Sequence, residues 1–339
     1  MNKQHPLYQE DLKYILEASQ SEKLRGKTVL ITGATGLIGV QMIDALLLQG
    51  GIKVIATGRS LQKAKSRLGE HFGNPDFSFI EQDVSKPFSK DLKPDFIIPL
   101  ASNTHPMAYS SYPIETIEIN FEGARNALEL AVECGATVLY PSSVEIYGNA
   151  RGTDIFTEDY TGALNLSTAR ACYTESKRVC EALCQSYAAE RGAKVRIARL
   201  SRVFGPTMLP TDTKASSQFI GNALRKEDIV LKSKGEQYYS YTYSADAVAA
   251  LLFIMINGAD GQAYNISADG CNVHLKDFAG CCAAVCGKKV IFDLPSDAEQ
   301  KGYSIANQAI LSNQKLQELG FKAKFNIEEA VERTVKILQ

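Results

Sequence analysis

The sequence lacks the features that mark a membrane or secreted protein. No apolar run approaches the about 18 residues of a membrane span, and residues 1–26 are polar and charged rather than signal-like. No CxxC pair occurs among the 8 cysteines, and none of the 4 histidines forms a metal-ligand pair with them. We therefore expect a cytoplasmic protein with reduced thiols, no membrane partner and no metal site.

An excess of charge of one sign is also absent. The 37 basic residues offset 38 acidic ones, so the formal net charge is -1. This balance argues against a nucleic-acid partner, because polyanion binding selects a strongly basic surface. The 339 residues, 45% of them hydrophobic and 22% charged, suit a globular protein of two domains or one large composite domain.

Short apolar segments alternate with helical patterns through the first two thirds of the chain. The strand-like segments are residues 28–32, 53–57, 77–80, 95–100, 136–142 and 194–200, and the helical ones are 37–48, 60–70, 114–134 and 172–191. This alternation predicts an α/β fold with a Rossmann-type doubly wound parallel sheet. It decays after Gly205-Pro206, where short mixed elements begin.

The same pattern predicts three parts of the chain. Residues 1–26 are expected to be a helical extension, with one amphipathic helix over 7–25. Residues 27–205 are expected to form a dinucleotide-binding domain. Residues 206–339 are expected to form mainly a smaller substrate-binding lobe, with some elements returning to the larger domain.

A glycine-rich turn follows the first predicted strand. The segment ITGATGLIG contains Gly33, Gly36 and Gly39 between a strand and a helix. In such a turn the first glycine permits the tight bend, the second admits a pyrophosphate, and the third lets helix and strand pack closely. The turn therefore predicts a dinucleotide site that also includes Thr35, Leu37 and Ile38.

The GxxGxxG spacing resembles the extended branch of the short-chain dehydrogenase/reductase superfamily, the NAD-dependent epimerase/dehydratase family. The resemblance implies further cofactor contacts. Asp83-Val84 matches an adenine-contacting pair, and LASNTHP (100–106) matches a loop under the pyrophosphate and nicotinamide ribose. The implied cofactor residues are Asp83, Val84, Leu100, Ala101, Ser102 and Asn120.

The end of the second strand bears on the choice of cofactor. An acidic residue there would bind the adenosine ribose hydroxyls, but the sequence has Gly58 followed by Arg59. With no carboxylate expected there to repel a 2'-phosphate, Arg59 favours NADP over NAD. NAD remains the alternative if Arg59 is only a solvated charge.

Tyr173 and Lys177 form the YxxxK pair of the predicted active site. Their i,i+4 spacing places both side chains on one helix face. A nearby ammonium and the positively charged nicotinamide are expected to favour the Tyr173 phenolate, which then acts as a base. Lys177 is also expected to bind the nicotinamide ribose. Ser143 ends a predicted strand, where its hydroxyl could bridge Tyr173 and a substrate oxygen.

Glu145 separates this sequence from simple 4-epimerases, which generally carry a small residue there. Nucleotide-sugar dehydratases and UDP-glucuronate decarboxylases resemble it in having this glutamate, although Val144 stands where dehydratases usually have an acid. The stretch from Asn103 to Pro206 looks most like a UDP-glucuronate decarboxylase. That likeness implies a catalytic role for Glu145 after sugar oxidation, and substrate contacts for Asn103, Thr104 and Arg170.

The expected diphosphate site departs from the family pattern. Arg202 stands where an asparagine is expected, and Tyr239 stands where an arginine is expected. The later segment near 300–311 has Lys301 but no arginine. Arg202 and Tyr239 are therefore candidate substrate residues, with Lys214, Lys232 and Lys234 as other cations that could compensate.

Together these features predict an enzyme that modifies a nucleotide sugar through NAD(P)-dependent oxidation at carbon 4, most like a UDP-glucuronate decarboxylase. The alternatives are a 4-epimerase, a 4,6-dehydratase, an NADPH-dependent reductase of a keto-sugar nucleotide, and a non-catalytic dinucleotide-binding sensor. The resemblance also implies a homodimer formed by the helices at 114–134 and 172–191.

Overall fold

A seven-stranded parallel sheet lies at the centre of the larger half of the protein. The computed structural model describes residues 1–104, 106–152, 154–294 and 308–339. Within them the strands of the sheet are β1 (Thr28–Thr32), β2 (Lys53–Gly58), β3 (Phe77–Glu81), β4 (Phe96–Pro99), β5 (Thr137–Ser143), β7 (Lys194–Leu200) and β11 (Ala263–Ile266). Their order across the sheet is β11-β7-β5-β4-β1-β2-β3. The parallel sheet and its flanking helices confirm the predicted fold class.

The central strands are continuous apolar segments because helices cover both faces of the sheet. In β1, Val29, Leu30 and Ile31 are fully buried. The helices of this half are α2 (Leu37–Gln49), α3 (Leu61–Leu68), α4 (Pro106–Ser111), α5 (Pro113–Cys134) and α6 (Ala171–Arg191). Among them, α5 packs lengthwise against α6.

The strand order reverses at β1, which lies between β2 and β4. Loops after strands on the two sides of such a reversal leave in opposite directions and open a crevice at the carboxyl ends. The glycine turn after β1, the loop after β4 and the end of β5 all meet there. The topology thus brings together segments that are far apart in the sequence.

The smaller lobe contains short strands and three of the later helices. Its strands are β6 (Ile155–Phe156), β8 (Arg202–Phe204), β9 (Ile229–Leu231), β10 (Tyr238–Tyr243), β12 (Asn272–His274), β13 (Val290–Phe292) and β14 (Gln308–Leu311). One sheet has the order β12-β10-β14-β6, with β8 also paired to β10, and a separate pair joins β9 to β13. The helices of this lobe are α7 (Ala215–Leu224), α9 (Leu275–Cys286) and α11 (Ile327–Leu338). Helices α8 (Ser244–Asn257) and α10 (Gln314–Glu318) pack against strands of the large sheet.

The N-terminal segment is shorter as a helix than the sequence predicts. Helix α1 covers Pro6–Ser19, and Gln20 then adopts a left-handed conformation with φ of 59°. The backbone N–H of Gln20 contacts the carbonyls of the last turn, so the α-helix ends there and a 3-10 turn follows over Ser21–Leu24. Helix α1 packs on α8 and α2. In the described part of the chain, no helix is both long and apolar enough to cross a membrane.

Candidate functional site

The glycine turn after β1 closely contacts the loop after β4. Gly33 has φ of +60°, and a Cβ atom there would lie 2.7 Å from the backbone nitrogen of Ala101. A Cβ on Gly39 would lie 2.8 Å from the carbonyl oxygens of Gly33 and Ala34. Gly36 is the N-cap of α2, so the helix begins directly after the turn. These close contacts fit a backbone cradle for a dinucleotide phosphate.

The remaining residues of the turn begin the helix. Thr35 lies within the bend, and Leu37 and Ile38 form the first turn of α2, all three being half-buried. The free backbone N–H groups of a helix start attract anions. The start of α2 therefore lies where the sequence predicts the phosphate-binding part of the site.

The loop after β4 is fixed to the turn by a hydrogen bond. The Ala101 backbone N–H donates to Thr32 Oγ1 over 3.1 Å. Leu100 is half-buried, and Ser102 Oγ is buried without a hydrogen-bond partner among the described residues. Asn103 Nδ2 donates to Thr116 Oγ1 over 3.2 Å, which orients its side chain towards α5.

Thr104, predicted to contact substrate, is exposed. His105, its neighbour in the quoted motif, lies outside the described residues. Thr104 therefore ends the described part of this loop before α4.

Asp83, Val84 and Asn120 lie on the same side of the sheet as the glycine turn. The Asp83 carboxylate accepts hydrogen bonds from the Ser85 backbone N–H and hydroxyl, and these bonds lower its pKa. Val84 contacts Gly123, where an added Cβ would lie 3.2 Å from its side chain. Asn120 Nδ2 donates to Ser176 Oγ over 2.8 Å, and its buried Oδ1 has no partner among the described residues.

The neighbourhood of Arg59 differs from the one that the sequence predicts. Arg59 Nη1 lies 2.7 Å from Glu115 Oε1, and both side chains are exposed. The expectation that no carboxylate lies there is therefore wrong, because α5 brings Glu115 to the end of β2. Gly58 contributes no charge, and a Cβ atom there would lie 3.6 Å from the ring of Phe79.

Tyr173, Lys177 and Ser143 meet where α6 passes the end of β5. The Ser143 hydroxyl bonds the Tyr173 hydroxyl and accepts the Glu145 backbone N–H over 3.2 Å. Lys177 Nζ donates to the Pro141 carbonyl over 2.8 Å and lies 5.0 Å from the centre of the Tyr140 ring. The arrangement joins the proposed base to a second hydroxyl at the mouth of the crevice.

Burial controls the ionisation of Tyr173 in the protein alone. Burial raises the pKa of Tyr173 well above its ordinary value, and the bond from Ser143 opposes this only in part. Burial also lowers the pKa of Lys177 to about 8. Lys177 is not among the groups that shift the Tyr173 pKa in the protein alone, and its Nζ donates to the Pro141 carbonyl. The combined effect of Lys177 and a bound nicotinamide on Tyr173 stays a prediction.

Glu145 lies between two arginines, with its side chain 35% exposed. Its Oε2 is 4.0 Å from Arg170 Nη2, and its Oε1 is 3.5 Å from Arg202 Nη2. The guanidinium carbon of Arg202 lies 3.6 Å from the centre of the Tyr239 ring. Two positive charges therefore surround one negative charge, and an aromatic ring supports one of the arginines.

The other candidate cations of the smaller lobe lie in ion pairs or in solvent. Lys214 Nζ is 3.1 Å from Asp212, and Lys232 Nζ is 3.1 Å from Asp293. Lys234 is exposed. Lys301 lies outside the described residues.

Tyr109 in α4 is a site residue that the sequence reasoning missed. Its ring stacks on the Tyr173 ring with centres 5.6 Å apart, and its hydroxyl lies 3.5 Å from Arg170 Nη1. Burial raises the pKa of Tyr109, so its hydroxyl stays protonated near neutral pH. The quoted decarboxylase-like segment contains this residue, but no pattern separates it from Tyr112, which is 60% exposed.

The fold and the grouped residues define a member of the extended short-chain dehydrogenases. The profile of the NAD dependent epimerase/dehydratase family matches residues 29–267, and the chain belongs to that family. This confirms the family expected from the motifs.

Named relatives and solved structures make the likeness more specific. The chain is 35% identical over 227 residues to UDP-glucuronic acid decarboxylase 6 of Arabidopsis thaliana, covering 67% of this chain and 65% of the relative. The match thus spans slightly less than two thirds of that relative. An epimerase from Methanothermobacter thermautotrophicus has a TM-score of 0.80 at 20% identity, covering 98% of this chain and 96% of that one. UDP-glucuronic acid 4-epimerase from Bacillus cereus, solved with UDP-glucuronic acid and NAD, has a TM-score of 0.79 at 20% identity, covering 92% and 98%. At this identity the two structures show a shared fold.

Proposed function

We propose that the protein modifies a nucleotide sugar through NAD(P)-dependent oxidation at carbon 4, with UDP-glucuronate decarboxylation as the preferred reaction. The observation that carries the proposal is the contact between Ser143 and Tyr173 with Glu145 directly beside them. Support also comes from the relative that is named a UDP-glucuronic acid decarboxylase.

The glycine turn and the loop after β4 would hold the cofactor. The phosphates would meet the start of α2, and Asp83 and Val84 would lie towards the adenine. Lys177 and the buried Oδ1 of Asn120 supply polar groups for the nicotinamide half. Bound there, NAD(P) supplies the hydride acceptor for oxidation of the sugar.

The side chains of this protein would manage the proton of the sugar hydroxyl. Ser143 polarises the hydroxyl on carbon 4, and Tyr173 removes its proton while the hydride leaves the same carbon. The charge of the bound nicotinamide and Lys177 would lower the cost of the Tyr173 phenolate, which burial otherwise raises. Glu145 acts after oxidation, when the substrate has become a β-keto acid that loses the carboxyl on carbon 5 as carbon dioxide. A proton would then replace the carboxyl on carbon 5, and return of the hydride from the reduced cofactor to carbon 4, with the proton held by Tyr173 returning to its oxygen, would give the UDP-pentose.

Reaction with UDP-glucuronate tests this proposal. We expect the purified protein to convert it to a UDP-pentose lighter by the mass of carbon dioxide, as seen by mass spectrometry. Tyr173→Phe should reduce turnover about 100-fold or more. A product of unchanged mass that separates chromatographically from UDP-glucuronate would instead identify the 4-epimerase. The neighbour solved with UDP-glucuronic acid favours that second candidate over the others.

The cofactor choice is a separate proposal. Arg59 favours the 2'-phosphate of NADP, whereas the carboxylate of Glu115 repels it and supports NAD. We propose that this ion pair sets the balance, with NADP bound when Arg59 leaves Glu115. Mass spectrometry of the protein as purified identifies a retained cofactor, and retention would favour a reaction that returns the hydride.

The domain roles, assembly and location are also proposals. Residues 27–205 would bind the cofactor, and residues 206–339 would mainly bind the sugar nucleotide, with β11 returning to the large sheet. A homodimer through α5 and α6 would cover exposed Ile114, Ile117 and Val179. The 8 cysteines are free, which agrees with a cytoplasmic location.

A further inference from the structure

The ion pairs around Glu145 are loose. Its oxygens lie 4.0 Å from Arg170 and 3.5 Å from Arg202, whereas strong N–H to carboxylate bonds are about 2.7–2.9 Å long. Glu145 thus approaches both arginines without forming a short bond to either. One excess positive charge remains in the group.

Arg202 is held in place by its own surroundings. Strand β8 pairs with β10, which puts Arg202 opposite Tyr241 and leaves the Tyr239 ring under the guanidinium. The Arg202 side chain is 22% exposed. Its Nη1 is buried and has no hydrogen-bond partner among the described residues. A buried, unpaired guanidinium donor favours an anion that can reach it.

These arginines lie beside the groups proposed to act on carbon 4. Glu145 follows Ser143 by two residues and donates its backbone N–H to the Ser143 hydroxyl. Arg170 contacts Tyr109, which stacks on Tyr173. In a pyranose ring carbon 5 is bonded to carbon 4, whereas carbon 1, which carries the diphosphate, lies on the opposite side of the ring from carbon 4. A substrate anion that reaches these two arginines is therefore expected to be a group attached to carbon 5.

We propose that Arg170 and Arg202 form a receptor for the carboxylate of a nucleotide-linked uronic acid, and that Glu145 occupies this receptor until the substrate carboxylate displaces it. This inference rests on the proposed function. The displaced Glu145 is then free to face the oxidised sugar. A neutral hexose offers no anion to exchange, so it leaves Glu145 in place and gains nothing from Arg202.

Binding without turnover tests the exchange. The cofactor-loaded Tyr173→Phe protein is titrated calorimetrically with UDP-glucuronate and with UDP-glucose, which differ only in the group on carbon 5. We expect UDP-glucuronate to bind about tenfold more tightly, and Arg202→Gln to remove that preference while leaving UDP-glucose affinity unchanged. Glu145→Gln should tighten UDP-glucuronate binding about threefold or more, because it removes the competing carboxylate.

Matched controls lie directly after α7, away from the receptor. Arg225 and Glu227 form an exposed pair with nitrogen and oxygen 2.8 Å apart. Arg225→Gln and Glu227→Gln should change neither affinity. These two substitutions remove the same charges as the test variants without touching the receptor.

The outcomes separate the two proposals. Equal affinities for the two ligands, or weaker UDP-glucuronate binding in Glu145→Gln, would overturn the exchange and leave the nucleotide-sugar proposal standing. Failure of both ligands to bind the cofactor-loaded protein would overturn both proposals. Circular dichroism and thermal melting of each variant establish that it is folded.

Discussion

Replacement of Gly33 by alanine should disrupt the cofactor site much more than the same change at Gly26. Both glycines have left-handed backbones, with φ of +60° and +76°. A Cβ on Gly26 has nothing within 4 Å, whereas one on Gly33 would lie 2.7–2.8 Å from the backbone of Ala101 and Leu100. Gly26→Ala thus isolates the conformational cost, and Gly33→Ala adds a collision with backbone.

The magnitudes follow from these two contributions. A left-handed conformation with a Cβ costs about 1–2 kcal/mol, and overpacking typically adds about 1–3 kcal/mol. In urea unfolding, Gly26→Ala should lower the free energy of unfolding by the conformational cost alone, and Gly33→Ala should lower it by the conformational and overpacking costs together. Calorimetry should show weakened NAD(P) binding only in Gly33→Ala, because its loop must move. Wild-type cofactor affinity in Gly33→Ala would refute the reasoning.

Three further predictions follow from other contacts. Glu115→Gln should shift the ratio of NADP to NAD affinity towards NADP by about twofold to fivefold at low salt. The additional change Arg59→Gln should remove that shift. An unchanged ratio would show that the Arg59–Glu115 ion pair does not influence the choice of cofactor. Burial, opposed by hydrogen bonds, raises the pKa of Asp246 from 3.8 to about 6. Between pH 3.8 and about 6 the folded chain therefore keeps the Asp246 proton that the unfolded chain has released. The contribution of Asp246 to the free energy of unfolding falls as pH rises through this window. In urea titrations at several pH values, Asp246→Asn should reduce the fall in the free energy of unfolding across this pH range by about 3 kcal/mol. An unchanged dependence of the free energy of unfolding on pH would contradict the raised pKa of Asp246. Ile117→Asp should convert a dimer to a monomer at micromolar concentration in light scattering, whereas a monomeric parent would contradict the dimer proposal.

Local sequence determines much of the cofactor turn. Gly33, Gly36 and Gly39 are close together, with a short continuous apolar strand before them and a helical segment after them. The same is true of Tyr173 and Lys177, which share one helix face by their spacing. These features were predictable because each depends on a few consecutive residues.

The features that sequence reasoning missed depend on distant segments. Glu115 follows Arg59 by 56 positions and meets it only because α5 returns to the end of β2. Tyr109 stacks on Tyr173 through the orientation of the short helix α4. The raised pKa of Tyr173 depends on burial, which its motif does not reveal.

The short strand β6 connects the two halves more firmly than a linker would. It leaves the cofactor half to pair with β14, while β11 returns from the later half to pair with β7. A fragment ending at residue 205 would therefore lose an edge strand of its large sheet and leave β6 without its neighbour. We expect such fragments to associate when coexpressed, and neither half to be an exchangeable module for building chimeric enzymes.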